Sequence, residues 1–190
     1  CWIAAVMEHV EAAGVHSGDS ACVLPPQEAS PGLVEELERQ ASAIATAVGT
    51  VGLINVQFAV QDGAIYVIEA NPRASRTIPF VAKATGVPLV RHAVRLMLGA
   101  KLGELDLPQA APQRHVAVKE AVLPFSRFAG ADSVLGPEMR ATGEVMGLGG
   151  SFAEAFAKAQ RGAGQALPGS GGAFISARDA DKPEAVALAA

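Results

Sequence analysis

The sequence is poor in cysteine and in aromatic residues, because its 190 residues include two cysteines, one tryptophan and one tyrosine. Cys1 and Cys22 are too few for a disulfide framework, and they lack the spacing of a metal knuckle. We therefore interpret them as reduced thiols and expect an intracellular, cytoplasmic protein.

Positive charge is also scarce. Fifteen lysines and arginines stand against 19 aspartates and glutamates, which gives a formal net charge of −4. The basic residues are scattered, which argues against a nucleic-acid partner, and no apolar run approaches the roughly 20 residues of a membrane-spanning helix. Half of the residues are hydrophobic and 18% are charged, which argues against disorder and predicts a sizeable core.

Both ends of the sequence suggest a piece of a longer protein. Residues 1–7 are apolar without a basic flank, so we predict a buried strand entered partway rather than a signal peptide. Residues 162–172 are rich in Gly, Ser, Pro and Ala, which is typical of a flexible connector. We predict a domain boundary near Gln165, followed by a strand at 173–177 and a helix at 182–190 that begin a β-α unit.

The middle of the chain has clear helical and strand patterns. Apolar spacing predicts a helix from Pro31 to Val48, capped by Ser30 and ended by Gly49. Further helices are predicted at 77–85 and 88–98, a loop at 103–113, a strand at 115–123, and a helix at 152–160 opened by a capping box that joins Ser151 and Glu154.

Residues 53–60 and 65–70 predict a β-hairpin with a turn at Asp62-Gly63. The apolar faces of the two strands coincide only if even-numbered residues lie beside even-numbered ones. We therefore predict a three-residue loop, Gln61 to Gly63, with Gly63 left-handed in a bulge. On the opposite face, Gln57 and Glu69 then converge, together with Asn55, Ala59, Ile65 and Val67.

That face predicts a divalent-metal site formed by Gln57, Glu69 and the nearby Asn71, because Mg²⁺ prefers oxygen ligands and keeps water or phosphate oxygens in its shell. Arg73 and Arg76 follow directly and could hold phosphate oxygens by bidentate bonds. From spacing alone the alternative stays open that this is a polar patch in which Glu69 pairs with an arginine.

Several motifs in order along the chain resemble the large subunit of carbamoyl-phosphate synthase. They are GVHSGDS at 14–20, NVQF at 55–58, EANPRASRT at 69–77, KATG at 83–86, VKE at 118–120, LPF at 123–125, LGPEMR at 135–140 and TGEVMG at 142–147. His16-Ser17 and the TIPF stretch at 77–80 resemble the second of that family's two homologous halves, which phosphorylates carbamate.

The resemblance implies an α+β chain. Residues 1–164 would form the C-terminal part of an ATP-grasp fold, an antiparallel sheet with flanking helices. Residues 165–190 would be a linker and the first β-α unit of an α/β regulatory domain of the methylglyoxal-synthase type. Because the sequence shows no glycine-rich phosphate loop, we expect the isolated chain to bind ATP weakly and to turn nothing over.

The resemblance also implies roles for individual residues. Mg²⁺ or Mn²⁺ would be held by Gln57, Glu69 and Asn71, and charge on the transferred group would be offset by Arg73 and Arg76. The ATP-lining residues would be Gly14, Val15, His16, Ser17, Gln57 and Glu69. Considered without the motif, His16 would be a loop histidine bonded to its own backbone.

Two further sites follow from the resemblance. A monovalent cation, K⁺, would lie among His9, Glu11 and Ser17, although Ala12 stands where the family often has an amide side chain. In some members the activator ornithine is bound by carboxylates that correspond to Glu11, Asp19 and Glu120.

The activity implied is the synthesis of carbamoyl phosphate for pyrimidine and arginine biosynthesis. A glutaminase subunit or domain would supply ammonia, one ATP would activate bicarbonate, and a second ATP would phosphorylate carbamate. The intact enzyme would be oligomeric, with ornithine, UMP and IMP as possible effectors. The alternatives are another ATP-grasp ligase or carboxylase, or a catalytically silent regulatory module.

Overall fold

The computed structural model describes residues 1–109, 115–165, 169–172 and 174–189. The strands are β1 (Glu8–His9), β2 (Cys22–Leu24), β3 (Asn55–Gln61), β4 (Ala64–Asn71), β5 (Val116–Val122) and β6 (Gly143–Gly149). The helices are α1 (Pro31–Val48), α2 (Thr77–Thr85), α3 (Leu89–Met97), α4 (Phe152–Gly162) and α5 (Lys182–Ala189).

The predicted helices form where the capping signals place them. The Ser30 side chain accepts a hydrogen bond from the Leu33 amide at 3.3 Å, and α1 ends at Gly49, whose φ of +70° an L-residue adopts only at a cost. Helix α2 has the predicted bounds, and α3 is one residue shorter than predicted at each end. In α4 the Ser151 side chain accepts from the Glu154 amide, while the Glu154 carboxylate accepts from Gly150 rather than from Ser151.

Four strands form an antiparallel sheet in the order β1-β2-β5-β6. Side chains alternate between its faces, so Val118 packs toward α4 while Ala117 faces the opposite way. The α4 side of the sheet is buried by Ala155 and Ala159. The other side carries the larger core, with these residues of the α2–α3 region: Ile78, Phe80, Val81, Ala84, Val87 and Leu89.

Helix α4 approaches β6 unusually closely because Gly147 has no side chain. A Cβ built on Gly147 would lie 2.0 Å from the Ala155 carbonyl oxygen and 2.6 Å from the Ala159 nitrogen. These are backbone atoms of a helix, which cannot move aside as a flexible side chain would. Small residues on both elements therefore set the distance between helix and sheet.

Strands β3 and β4 form a separate two-stranded sheet, whose turn differs from the prediction. Gln61 pairs with Ala64, so the loop has two residues, Asp62 and Gly63, with φ angles of +51° and +77°. Positive φ at both central positions is the requirement of the primed turns that Asp-Gly sequences favour. The predicted three-residue loop is therefore wrong.

The one-residue shift in register that brings Gln57 opposite Glu69 occurs inside β4 instead of in the turn. Gln57 pairs with Glu69 but Phe58 pairs with Val67, so Ile68 is an extra residue in a β-bulge. Between the bulge and the strand ends, odd-numbered residues share a face, as predicted. Toward the turn the prediction is wrong, because Tyr66 shares a side with Ala59 while Ile65 and Val67 lie with the even-numbered residues of β3.

Three other predictions need correction. Residues 1–7 form no strand, because their burial comes from packing against the core and from the Trp2 indole, which donates to the Pro108 carbonyl at 3.0 Å. The predicted loop at 103–113 begins within a 3-10 helix at Leu102–Glu104, and residues 110–113 lie outside the described ones. The strand predicted at 173–177 is absent over 174–177, where Phe174 is 95% exposed with no neighbouring strand to pair with in the described chain, and residue 173 lies outside the described ones.

No helix among the described residues is both long enough and apolar enough to cross a membrane.

The contact at Gly147 predicts a specific loss of stability. Gly147→Ala should lower the free energy of unfolding by about 1–3 kcal/mol or more, because the added methyl group must displace the backbone of α4. The control is Gly103→Ala, where a Cβ meets no atom within 4 Å. Urea denaturation followed by circular dichroism gives both values, and equal midpoints for the two variants would contradict the packing argument.

Candidate functional site

The polar side chains singled out in the sequence converge on one large cleft of about 1380 Å³. Its lining includes residues of the β3–β4 hairpin and residues 16–18 of the segment 14–20, which we call the His16 loop. The predicted residues that line it are His9, Glu11, His16, Ser17, Gln57, Glu69, Asn71, Arg73 and Arg76. Four predicted residues are not among its lining: Gly14, Val15, Asp19 and Glu120.

On the hairpin, two pairs of oxygen-bearing side chains lie directly opposite each other. Gln57 pairs with Glu69, and Asn55 pairs with Asn71 two residues away on the same face. Directly opposed residues of antiparallel strands have Cβ atoms about 4.5–5.5 Å apart, so each pair can reach a common ligand. Asn55 was placed on this face by the sequence but was not predicted as a ligand.

This donor set fits a hard divalent cation. It offers one carboxylate and three amide oxygens on one face of the hairpin, and all four residues line the cleft, which leaves coordination positions for water and phosphate oxygens. The described residues contain no group of three or more His, Cys, Asp or Glu arranged to hold a metal. The predicted metal ligands would not form such a group in any case, because they are one carboxylate, that of Glu69, and amide side chains.

The two arginines lie where β4 leads into α2. Arg73 is exposed, and its guanidinium donates to the adjacent Ala74 carbonyl at 3.1 Å. The Arg76 guanidinium donates to the Ala141 carbonyl at 3.2 Å, which ties it to the segment before β6. Both line the cleft beside the amide and carboxylate face, so they can offset the charge of an anionic ligand held there.

The His16 loop is a tight turn organised by its histidine. The Gly18 amide donates to the His16 Nδ1 at 3.0 Å, and the His16 carbonyl accepts from the Asp19 amide at 2.9 Å. A side chain at Gly18 would require its neighbours to shift, since a Cβ at this position would lie 2.9 Å from the Met139 sulfur and 3.1 Å from the His16 Nδ1. One imidazole nitrogen of His16 thus serves the loop, and Nε2 remains as the donor for a ligand.

Asp19 joins this loop to the segment that precedes β6. Its carboxylate is 1% exposed and accepts from the Arg140 amide at 2.7 Å and from the Ala141 amide at 2.8 Å. The His16 amide also donates to the Gly136 carbonyl at 2.8 Å. Both Asp19 oxygens are therefore engaged with backbone.

The other residues predicted for the cation and amine sites lie around β1 and β5. The Glu11 carboxylate accepts from the Ala21 amide at 2.7 Å, and the Gln160 side chain donates to Glu120 at 2.9 Å. Burial, and after it the charge of Glu11, raise the pKa of Glu120. Burial, followed by the charge of Lys119, lowers the pKa of His9.

Sequence reasoning assigned no role to Lys119, which lines the cleft although it is 1% exposed. It is in the middle of β5, and its ammonium donates to the Ser17 carbonyl at 3.1 Å. The signal was a lysine in a strand, Val116–Val122, whose other residues apart from Glu120 are apolar, since lysine is almost never fully buried without a partner.

Residues 1–105 of the chain match the family described as "Carbamoyl-phosphate synthase L chain, ATP binding domain". The chain belongs to this carbamoyl-phosphate synthase family. The carbamoyl phosphate synthase large chain of Myxococcus xanthus (strain DK1622) is 57% identical over 187 residues, which are 98% of this chain and 17% of the relative. That of Brucella melitensis biotype 1 is 57% identical over 185 residues, 95% of this chain and 16% of the relative.

The chain therefore spans about one sixth of the length of these carbamoyl phosphate synthase large chains. Among solved structures, one described as a single-chain, multi-domain long-chain acyl-CoA carboxylase is similar over 53% of this chain and 12% of its own. Its sequence identity to this chain is 26% and the TM-score is 0.49.

The buried thiol beneath the His16 loop gives a pH-dependent prediction. Burial raises the pKa of Cys22 to about 11, although the charge of Lys119 lowers it. At pH 8 we expect a thiol reagent to modify the exposed Cys1 quickly and Cys22 only on unfolding. Since the folded state retains the Cys22 proton longer than the unfolded state does, this contribution to stability is complete below about pH 9 and is lost toward pH 11.

The control for this prediction is Cys1→Ser, which should leave no fast-reacting thiol in the folded chain. Two thiols that react at equal rates under native conditions would contradict the burial of Cys22.

Proposed function

We propose that this chain forms part of the ATP-grasp unit of a carbamoyl-phosphate synthase large chain that phosphorylates carbamate with ATP and a divalent metal. The observation that supports it most directly is the pairing of Gln57 with Glu69, both of which line the cleft. The pairing brings a carboxylate and an amide oxygen together at the positions that the family resemblance implies for metal ligands.

In this proposal Gln57, Glu69 and Asn71 hold Mg²⁺ or Mn²⁺, and Asn55 is close enough to add a direct or water-mediated contact. The metal, when bound, supplies positive charge to phosphate oxygens. Glu69 contributes the negative charge that retains the ion, and the amides contribute neutral oxygens. The pairing requires no rearrangement of the hairpin, so the ligand geometry is already set before ATP arrives.

The remaining residues position the two reactants. Arg73 and Arg76 offset charge on the transferred phosphoryl group and on the carbamate. His16 donates a hydrogen bond from Nε2 to the nucleotide, and the backbone of Ser17 approaches it. Contact of the nucleotide with Gly14 and Val15, which do not line the cleft, remains a prediction. Phosphoryl transfer depends mainly on alignment and charge neutralisation, so this part of the enzyme supplies no covalent nucleophile.

The proposal includes the partners of the intact enzyme. A glutaminase small subunit or domain would supply ammonia, and residues 165–190 would lead into a regulatory domain. The K⁺ assignment to His9, Glu11 and Ser17, and the ornithine assignment to Glu11, Asp19 and Glu120, remain predictions. In the K⁺ set, the Ser17 carbonyl already accepts a hydrogen bond from Lys119. In the ornithine set, the Asp19 carboxylate already accepts hydrogen bonds from two backbone amides.

The metal assignment is tested by Glu69→Gln in the full-length protein that carries this sequence. The variant keeps the size of the side chain but removes its charge. We expect carbamate-dependent ATP turnover to fall about a hundredfold or more, the loss typical of one charge-stabilising group. Carbamoyl phosphate should be the product of the wild-type reaction, which separates this activity from that of a carboxylase.

The matched control is Glu35→Gln, an exposed glutamate on α1 that does not line the cleft. This variant should retain wild-type turnover and the same dependence on Mg²⁺ concentration. Wild-type turnover in Glu69→Gln at all Mg²⁺ concentrations would remove the metal assignment.

A further inference from the structure

Lys119 is a buried cation that the proposed chemistry does not use. It is on the central strand β5, and its neighbours Val118 and Ala121 are fully buried. Moving an ammonium group out of water is costly unless hydrogen-bond acceptors and opposite charges replace the lost solvent. The partners of Lys119 therefore show what the chain gains from placing a charge here.

The Lys119 ammonium donates a hydrogen bond to the His16 loop. The Nζ atom donates to the Ser17 carbonyl at 3.1 Å, across 102 residues of sequence. Ser17 is between His16 and Gly18, the two residues joined by the imidazole hydrogen bond. The loop is also anchored by the His16 amide to Gly136 and by Asp19 to the segment before β6. Lys119 is the anchor that comes from the sheet.

A carboxylate on the neighbouring strand complements the ammonium. Lys119 pairs with Met146 in the β5–β6 ladder, so Glu144 is its diagonal neighbour on the same face, within reach of long side chains. Glu144 Oε2 is buried without a hydrogen-bond partner in the described chain. Burial raises the pKa of Glu144, and the charges of Lys119, Arg76 and Lys83 oppose that rise.

We infer that Lys119 is a positioning residue, which holds the Ser17 carbonyl and thereby keeps the His16 loop in the conformation that receives the nucleotide, with Glu144 balancing its charge. The inference deepens the proposed function and rests on it for the identity of the ligand. The position of the loop is a property of the protein without ligand, so it can be measured separately.

The first measurement is hydrogen exchange by mass spectrometry on the full-length protein without ligand. Lys119→Met should speed exchange in peptides that cover residues 14–20 about tenfold or more, the effect of losing one hydrogen bond to a charged group. Peptides from α1 should be unchanged. Lys119→Arg keeps the charge and a donor, so it should restore much of the protection.

The matched control is Lys158→Met. Lys158 also donates to a backbone carbonyl, that of Leu148 at 2.8 Å, but it is 53% exposed and does not line the cleft. It should leave exchange in the His16 loop unchanged. Equal exchange of the loop in wild type and Lys119→Met would overturn the inference.

A second variant separates positioning from charge balance. Lys119→Met removes the first of the three positive charges that act on Glu144 and could prevent folding, whereas Lys119→Met with Glu144→Gln removes both charges. The double variant should regain stability to urea while its loop still exchanges quickly. Recovery of normal loop exchange in the double variant would show that Lys119 acts only through charge balance, and would overturn the inference.

The kinetic measurement connects the loop to the ligand. In Lys119→Met with Glu144→Gln we expect the KM for ATP in the carbamate-dependent reaction to rise about tenfold with a smaller change in kcat. An unchanged KM would overturn the inference. If the wild-type protein shows no such reaction, the proposed function fails, and the exchange experiment alone decides the role of Lys119.

Discussion

The bulge at Ile68 is the constraint on which the candidate site depends. A two-residue Asp-Gly turn, continued along regular strands, would place Gln57 opposite Ile68 instead of Glu69, because parity is preserved in an unbroken ladder. One inserted residue restores the pairing and rotates the polar side chains of β4 onto the face that carries Asn55 and Gln57. The ligand set is thus built by an irregularity in the strand.

The His16 loop, which also lines the cleft, is held by long-range hydrogen bonds and not by a strand ladder. The His16 loop has little regular structure of its own and is held by hydrogen bonds from distant parts of the chain. Its contacts come from the segment before β6, through Gly136, Arg140 and Ala141, and from β5 through Lys119. Each contact joins a loop atom to backbone or to a buried charge, so the loop conformation depends on the sheet being correctly formed.

Local signals in the sequence predicted those elements whose conformation is decided locally. Helix α1 was predicted from its Ser30 cap, its apolar spacing and Gly49. The shared face of Gln57 and Glu69 was predicted from the alternation of the two strands, although the same prediction was wrong near the turn. The position of the extra residue was predicted wrongly. A bulge inside a strand and a loop one residue longer produce the same alternation of apolar and polar residues in the sequence. Strand β6 was not predicted, since its glycines serve the close approach of α4 and weaken the strand pattern.

Long-range contacts account for the other differences. The apolar residues 1–7 were predicted as a strand, but apolarity does not distinguish burial by packing from burial in a ladder. The role of Lys119 depends on a carbonyl 102 residues away, which no spacing rule could indicate. The site residues as a set were chosen by family resemblance, and the structure brings nine of them to one cleft.

The bond between Gly18 and the His16 ring has a chemical consequence for any ligand. Because Nδ1 must keep its lone pair for the amide, the proton of the neutral ring is confined to the far nitrogen. The side chain can then donate to an acceptor, such as a ribose, phosphate or carbonyl oxygen. The histidine is consequently suited to recognising an oxygen atom of a ligand.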